Sequence, residues 1–320
     1  MKMLNTINHY LEKGMPIITP LSLIFGMLFA SLLDTWIYLV PWVFAFVTFA
    51  STIGVKISKI KSAVKKPLPI ILCLLIIQIV MPIVAYGLGM LVFPQNSLII
   101  VGLVIAFVIP TGVISLMWVS IHNGNSSVSL LIVLLNTLLS PVLIPLSIYF
   151  FVGQSVTMDT IGLMIQLLWM ICLPSLIGIS INYLPLTKNK DIKSYLAPFA
   201  KLGLFFVIAI NGSVVVQYFR ELTASLLLIF VVIFILASLG YFLGFFISKL
   251  CSFDNDVTVS IVLNSGMRNI SLGAAIAVLY FPPIVSLPII ACTLFQQIQA
   301  SLFGHVLSKY LSRNQSVKTT

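Results

Sequence analysis

Ten apolar stretches follow one another along the chain, at roughly 16–33, 37–55, 67–93, 97–121, 126–152, 158–184, 196–217, 222–248, 257–281 and 283–308. A short run of charged, proline or other polar residues separates each from the next. Stretches of this length suit helices crossing a hydrocarbon core about 30 Å thick, which takes roughly 20 residues. The pattern predicts an all-α integral membrane protein with ten transmembrane helices. The connections are too short for a soluble domain, so residues 1–320 are expected to form one membrane domain. The first stretch follows Lys2 and Lys13, as a signal peptide would, but its apolar core from Met15 to Leu33 is long for one, and other spans follow at once. A retained helix is expected. Residues Met1 to Gly14 (MKMLNTINHYLEKG) read as a short amphipathic helix on the cytoplasmic surface.

Two spans are interrupted. Pro110-Thr111-Gly112 breaks the fourth and Asn264-Ser265-Gly266 the ninth. Proline removes a backbone hydrogen bond, and glycine weakens a helix by about 1 kcal/mol. Carbonyls freed at membrane depth are tolerated only beside protein, water or an ion. Ten spans divide into five plus five, and each break falls in the fourth span of its half. Five crossings per half invert one half relative to the other. Interrupted helices at matching positions point to the midplane site of an inverted-repeat transporter. A proline kink and a packing glycine would explain either break alone; their matched positions favour a site.

Charge adds orientation. The chain is 60% hydrophobic and 8% charged, against about 25% charged in soluble domains. A net charge of +10 would suit nucleic acid, but the lysines occupy short segments between apolar spans, so no nucleic acid partner is expected. With both termini on one side, that side collects Lys2, Lys13, Lys56, Lys59, Lys61, Lys65, Lys66, Lys188, Lys190, Lys193, Lys201, Lys249, Lys309, Arg313 and Lys318; the other has Arg220 alone. By the positive-inside rule both termini are cytoplasmic, in a multi-pass protein of a bacterial plasma membrane.

The last cation, Arg268, is the only charged residue between Asp256 and Pro282-Pro283. An arginine at mid-bilayer costs roughly 2.5 kcal/mol or more and usually faces protein or a watery cavity. At the twelfth position of its span it lies roughly 18 Å from the near end, too far for easy snorkelling. All seven carboxylates (Glu12, Asp34, Asp159, Asp191, Glu221, Asp254, Asp256) fall in loops or at span ends. The buried field is therefore positive, which suits an anion, and helix N-termini at the breaks would add to it.

Other polar residues at depth are Gln78, Ser129, Asn136, Asn211, Gln296, Gln297 and Gln299, which read singly as interhelical hydrogen bonds. Gly240 and Gly244 have the spacing of close helix packing, within the chain or in a dimer. The four cysteines are scattered and read as apolar fillers, with no metal spacing. His9, His122 and His305 all sit near span ends, so an intramembrane enzyme lacks its nucleophile, base or metal ligands. A non-transporting sensor would normally carry a soluble output domain, and none is visible.

At the two breaks the sequence resembles the bile acid:sodium symporter family. The likeness is carried by Pro110-Thr111-Gly112-Val113-Ile114-Ser115, by Gly124-Asn125 through Leu138-Leu139-Ser140-Pro141, and by Gly266-Met267-Arg268-Asn269 with Leu272-Gly273-Ala274-Ala275. Gln78-Ile79-Val80-Met81-Pro82 and Gly240-Tyr241-Phe242-Leu243-Gly244-Phe245-Phe246 add to it, and it extends over nearly the whole chain. The resemblance implies inverted five-helix repeats, discontinuous helices 4 and 9, a panel domain (spans 16–55 and 158–217) and a core domain (spans 67–152 and 222–308). It implies an organic anion substrate, such as a bile acid or another small carboxylate, usually moved with two sodium ions.

The residues at the implied sodium positions depart from that pattern. Ser115 and Ser129 match ligands of one site, but Leu116 and Val133 stand at two others and offer no side-chain oxygen. Asn264 replaces the glutamate shared by both sites. At the second site Gln78 matches and Ser265 and Met267 supply backbone carbonyls, but the family's glutamine is Arg268. A guanidinium would repel sodium by about 4 kcal/mol at about 4 Å. The expectation is a sodium-independent carrier, with no cofactor, in which Arg268 replaces a bound sodium, either bonding carbonyls at the crossover or pairing with a substrate carboxylate. Asn269 is the expected anion-facing donor, with Thr111 and Gln299 lining the same cavity. Sodium symport through a degenerate site, and an auxin-carrier-like anion exporter, are the alternatives.

Overall fold

The computed structural model describes residues 2–53, 67–153, 159–181, 192–219 and 224–318. Among these residues the fold is entirely helical. In chain order the helices are α1 (Lys2–Leu28), α2 (Ala30–Thr52), α3 (Pro67–Val92), α4 (Ser97–Val108), α5 (Ile114–Ile121), α6 (Ser126–Val152), α7 (Thr160–Ile181), α8 (Ile192–Phe219), α9 (Ala224–Leu250), α10 (Asn255–Gly266), α11 (Ile270–Tyr280) and α12 (Ser286–Lys318). Among the described residues, eight helical stretches are long and apolar enough to cross a membrane, and Ile17–Leu28 and Ser97–Val108 are shorter apolar helices. The chain is thus a multi-pass helical membrane protein, as its hydropathy pattern predicts. Half of the lysines behind the orientation argument, Lys56, Lys59, Lys61, Lys65, Lys66, Lys188 and Lys190, lie outside the described residues, as does Arg220.

Three details depart from the sequence reading. Residues 2–14 do not form a separate surface helix, because α1 runs unbroken from Lys2 to Leu28. Lys201 of α8 donates to the carbonyl and side-chain oxygens of Asn8, at 3.0 and 2.6 Å, and ties this end of α1 to the bundle. The first turn of the chain comes at Phe29 rather than near Asp34; a helical turn (Ala30–Leu33) and a 3-10 segment (Asp34–Leu39) then lead into Val40–Thr52. The second break lies at Met267–Asn269, three residues beyond the Asn264-Ser265-Gly266 island. Asn264 and Ser265 do not break the helix because their side chains bond its own carbonyls, Asn264 Nδ2 to Ser260 O and Ser265 Oγ to Ile261 O. The first break, Ile109–Val113, falls on the proline and glycine as expected.

Packing brings the breaks to the centre. α1 lies along α8, α2 packs on α7 and α8, and α9 lies along α10. Gly240 and Gly244 serve this last contact, since a Cβ at Gly240 would meet Ser265 O at 2.6 Å and one at Gly244 would meet Ser265 Oγ at 2.1 Å. Their spacing is thus used within the chain. α10 is buried along nearly its whole length, from Val257 to Gly266, and α4 from Ile99 to Val108. Helices buried on all sides belong at the centre of a bundle. The four cysteines are free, three of them buried. Two single-turn π segments, Ile76–Val80 in α3 and Leu168–Cys172 in α7, interrupt otherwise regular helices. Such bulges are frequent at functional sites, and the first carries Gln78.

Candidate functional site

The two breaks touch. Asn269 N–H donates to Pro110 O at 2.8 Å, so the second break closes one carbonyl that proline and glycine leave open in the first. Gly112 favours this approach, because a Cβ there would lie 3.2 Å from Arg268 O, a tight contact. Asn269 also caps α11, its Oδ1 accepting from Leu272 N at 3.4 Å. α5 and α11 therefore both begin at the crossing, where the first N–H groups of a helix lack intrahelical partners.

Arg268 is 3% exposed and sits at the crossing. Its backbone N–H donates to Gln296 Oε1 at 2.9 Å. Nη1 donates to Ser265 O at 2.8 Å and to Met267 O at 3.1 Å. The guanidinium carbon stands 5.8 Å from the centre of the Phe107 ring, a cation–π contact. Nε and Nη2 are buried without hydrogen-bond partners, and no Asp or Glu is among the buried described residues. The charge is held by carbonyl dipoles and an aromatic face, not by a carboxylate.

The positions matched to sodium ligands fall into two groups, with Gln78 bonded apart from both. In the first, Ser115 Oγ donates to Asn264 Oδ1 at 2.8 Å, and Asn264 Nδ2 donates to Ser129 Oγ at 2.8 Å and Ser260 O at 2.7 Å. All three side chains are fully buried. The amide spends both hydrogens and its oxygen inside this network. An amide N–H pointing at Ser129 is a donor where a cation needs an acceptor. In the second group, the carbonyls of Ser265 and Met267 are those taken by Arg268. Gln78, on the π turn of α3, donates through Nε2 to Asn136 Oδ1 in a short contact. Gln78 Oε1 and Asn136 Nδ2 are buried without partners. Neither donor set fits sodium as it stands: one is closed by an amide and the other holds a guanidinium.

A cavity of about 150 Å³ adjoins the crossing. Gly112, Val113, Ile114, Arg268, Asn269 and Ile270 border it on one side, with Leu116 and Val133 beside them. Another part of the lining is supplied by α1, α2, α7 and α8, including Thr19, Thr48, Ser51, Thr52 and Ser175. Arg268 and Asn269 thus reach the cavity as expected. Thr111 and Gln299 do not. Thr111 is 1% exposed, and its neighbours Gly112 and Val113 take its place in the wall. Gln299 faces α9, donating to Phe234 O at 3.0 Å and Ser238 Oγ at 2.9 Å; the cavity face of α12 is Thr293, Gln296 and Gln297. Helical periodicity turns Gln299 away from that face. Gln297 Oε1 also accepts from Trp118 Nε1 at 2.9 Å, so it both borders the cavity and bridges α5 to α12.

The hydroxyl wall was not singled out by sequence reasoning. Thr48, Ser51 and Thr52 share one face of α2 by the three- and four-residue spacing, which is the signal that could have found them.

His122 follows α5 and packs against α12. Its Nδ1 lies 3.0 Å from Ser308 Oγ, and its ring stacks on Trp118 with centroids 6.1 Å apart. Partial burial, and secondarily the nearby His305, hold its pKa below the ordinary imidazole value.

Comparison with known proteins agrees with this geometry. The model of the sodium bile acid symporter family matches residues 41–222, which contain the first break, Gln78, Ser115 and Ser129. The uncharacterized protein YbaS of Bacillus subtilis (strain 168) is 40% identical over 297 residues, 92% of this chain and 97% of that protein. YocS of the same organism, named as an uncharacterized sodium-dependent transporter, is 27% identical over 318 residues, 99% of this chain and 97% of its own. A probable chloroplastic sodium/metabolite cotransporter of Oryza sativa subsp. japonica is 26% identical over 189 residues, 58% of this chain and 44% of its own. The likeness to YocS runs through both breaks. With matched breaks, a cavity at their crossing and a family match over more than half its length, this chain belongs to the sodium bile acid symporter family, whose members are carriers and not enzymes.

Proposed function

We propose that this chain is a secondary transporter of a small organic anion, working by alternating access without sodium. In this reading ten crossings form inverted five-helix repeats, each discontinuous span being a pair of half-helices: α4 with α5, and α10 with α11. The panel is α1, α2, α7 and α8, and the core is the remaining helices. The cavity then lies between panel and core, and the substrate binds there. With both termini cytoplasmic, the hydroxyl wall at the far ends of α2 and α7 belongs to the cytoplasmic mouth.

The observation that carries the proposal is the pair of bonds from Arg268 Nη1 to Ser265 O and Met267 O. Where the resemblance implies that relatives hold sodium on these carbonyls, this chain supplies a cation of its own. A covalently attached cation cannot dissociate with each cycle, so it steadies the crossing without coupling transport to a gradient. Its charge and the N-terminal ends of α5 and α11 make the crossing positive, which favours a bound carboxylate at Asn269 and the neighbouring backbone N–H groups. Replacement of the shared glutamate by Asn264 removes the negative charge that would balance both a sodium ion and the guanidinium.

A screen of small carboxylates by thermal shift, with sodium or choline as the only cation, tests this. Stabilisation by at least one carboxylate, equal in the two salts, is the expected outcome. Stabilisation seen only in sodium would favour symport through a degenerate site at Ser115, Ser129 and Asn264. Substrate-stimulated efflux without sodium would favour the auxin-carrier-like exporter.

A further inference from the structure

The part of the cavity wall on α1, α2, α7 and α8 carries hydroxyls among apolar residues such as Phe44, Val47 and Ile171, and the hydroxyls are not equivalent. A Ser or Thr in a helix commonly donates its proton to the carbonyl one turn back, leaving only lone pairs for a ligand. Three of the hydroxyls on this wall do so. Thr48 donates to Phe44 O at 2.9 Å, Ser51 to Val47 O at 2.6 Å and Thr52 to Thr48 O at 3.0 Å. Thr19 and Ser175 do not. Their hydroxyl oxygens are buried without a hydrogen-bond partner, Ser175 being 0% and Thr19 8% exposed, and both line the cavity. Each therefore keeps a proton to give and lone pairs to accept with.

Among the described residues, no charged side chain from α1, α2, α7 or α8 lines the cavity, and Arg268 is the only charged residue around it. The chemistry of the two ends is thus complementary to a bifunctional molecule. One end, at the crossing, is positive. The other offers two free donors and at least three acceptors, with no cation among its described residues. A second carboxylate there would meet more lone pairs than protons. An alcohol or an amide, which both gives and takes hydrogen bonds, satisfies the wall. An alkyl end would leave Thr19 and Ser175 buried and unpaired, at the cost of desolvated polar groups.

Resting on the transporter reading above, we infer that Thr19 and Ser175 determine specificity, and that the substrate is a monocarboxylate with an alcohol or amide group at its far end. Dicarboxylates and purely apolar acids are discriminated against. The discrimination comes from leaving site hydroxyls unpaired, which separates analogues more sharply than an apolar pocket does.

The test uses the full chain in lipid nanodiscs and three matched series: straight-chain monocarboxylates from butanoate to octanoate, their ω-hydroxy derivatives, and the corresponding dicarboxylates. At the best chain length, the hydroxy acid should bind about tenfold tighter than the plain acid, and the dicarboxylate weaker than either. Ser175→Ala and Thr19→Val should each reduce that preference, and together abolish it, by weakening the hydroxy acid and tightening the plain acid. Ser175→Thr, which restores a hydroxyl, should retain most of it. Equal binding of plain and hydroxy acids by the native chain overturns the inference and leaves the carrier reading intact. So does a preference that survives the double substitution. Failure of all three series to bind would instead remove the anion-carrier reading, and this inference with it.

Discussion

The two breaks meet at one point but are built from opposite materials. The first, Ile109–Val113, contains no charge and works by omission: Pro110 gives no N–H, and Gly112 has no Cβ to keep the other strand at a distance. The second, Met267–Asn269, works by addition. Its residues supply the N–H that reaches Pro110 O, the side chain that caps α11, and the guanidinium that binds Ser265 O and Met267 O. The comparison teaches that matched breaks need not share a mechanism. One half of the molecule makes room, and the other makes bonds. The two breaks thus divide their labour asymmetrically, and the guanidinium chemistry lies in the second.

Breaking the contributing side should do most damage. Arg268→Gln removes two charge-assisted hydrogen bonds, worth roughly 3 kcal/mol together, and should lower uptake by about a hundredfold while the folded protein remains in the membrane. Near-normal uptake by this variant would reduce Arg268 to a structural residue. Asn269→Ala deletes a helix cap worth about 1 kcal/mol as well as a cavity donor, and should lower uptake about tenfold. Rebuilding the pattern of the family sharpens the comparison differently. Asn264→Glu combined with Arg268→Gln should create uptake that sodium stimulates severalfold, whereas Asn264→Glu alone should not, because the guanidinium still holds the carbonyls.

The remaining predictions are smaller. The native state holds His122 below its ordinary pKa, so an unfolded chain binds more protons than the folded one as pH falls through and below 6.5. The contribution of neutral His122 is complete above that pH and is lost as pH falls toward the folded-state pKa. His122→Gln should therefore flatten the acid-side decline in melting temperature. Thr111→Val, at the bare break, should change uptake by less than about twofold, because its buried hydroxyl has no partner to lose. A large loss there would erase the contrast between the two breaks.

Much of this was legible in the sequence, for physical reasons. Long apolar runs declare themselves by composition, and Pro110-Gly112 and Arg268 stand out because each is costly in a membrane helix. The exact second break did not, because Asn264 and Ser265 satisfy themselves within α10 and so extend the helix through a stretch that reads as polar. Gln299 was misplaced because three glutamines within four residues of α12 cannot all face one cavity, and only packing against α9 decides which turns away. Thr19 and Ser175 were invisible for the opposite reason. In a chain this apolar a lone hydroxyl reads as an ordinary helix residue bonded to its own backbone, and only coordinates show which hydroxyls are not.

The central claim is that Arg268 does the work of a bound cation. Substrate uptake into proteoliposomes, measured with sodium and again with choline in its place, tests it most directly. Equal initial rates in the two salts are predicted for the native chain. A strong loss of uptake without sodium would contradict the account.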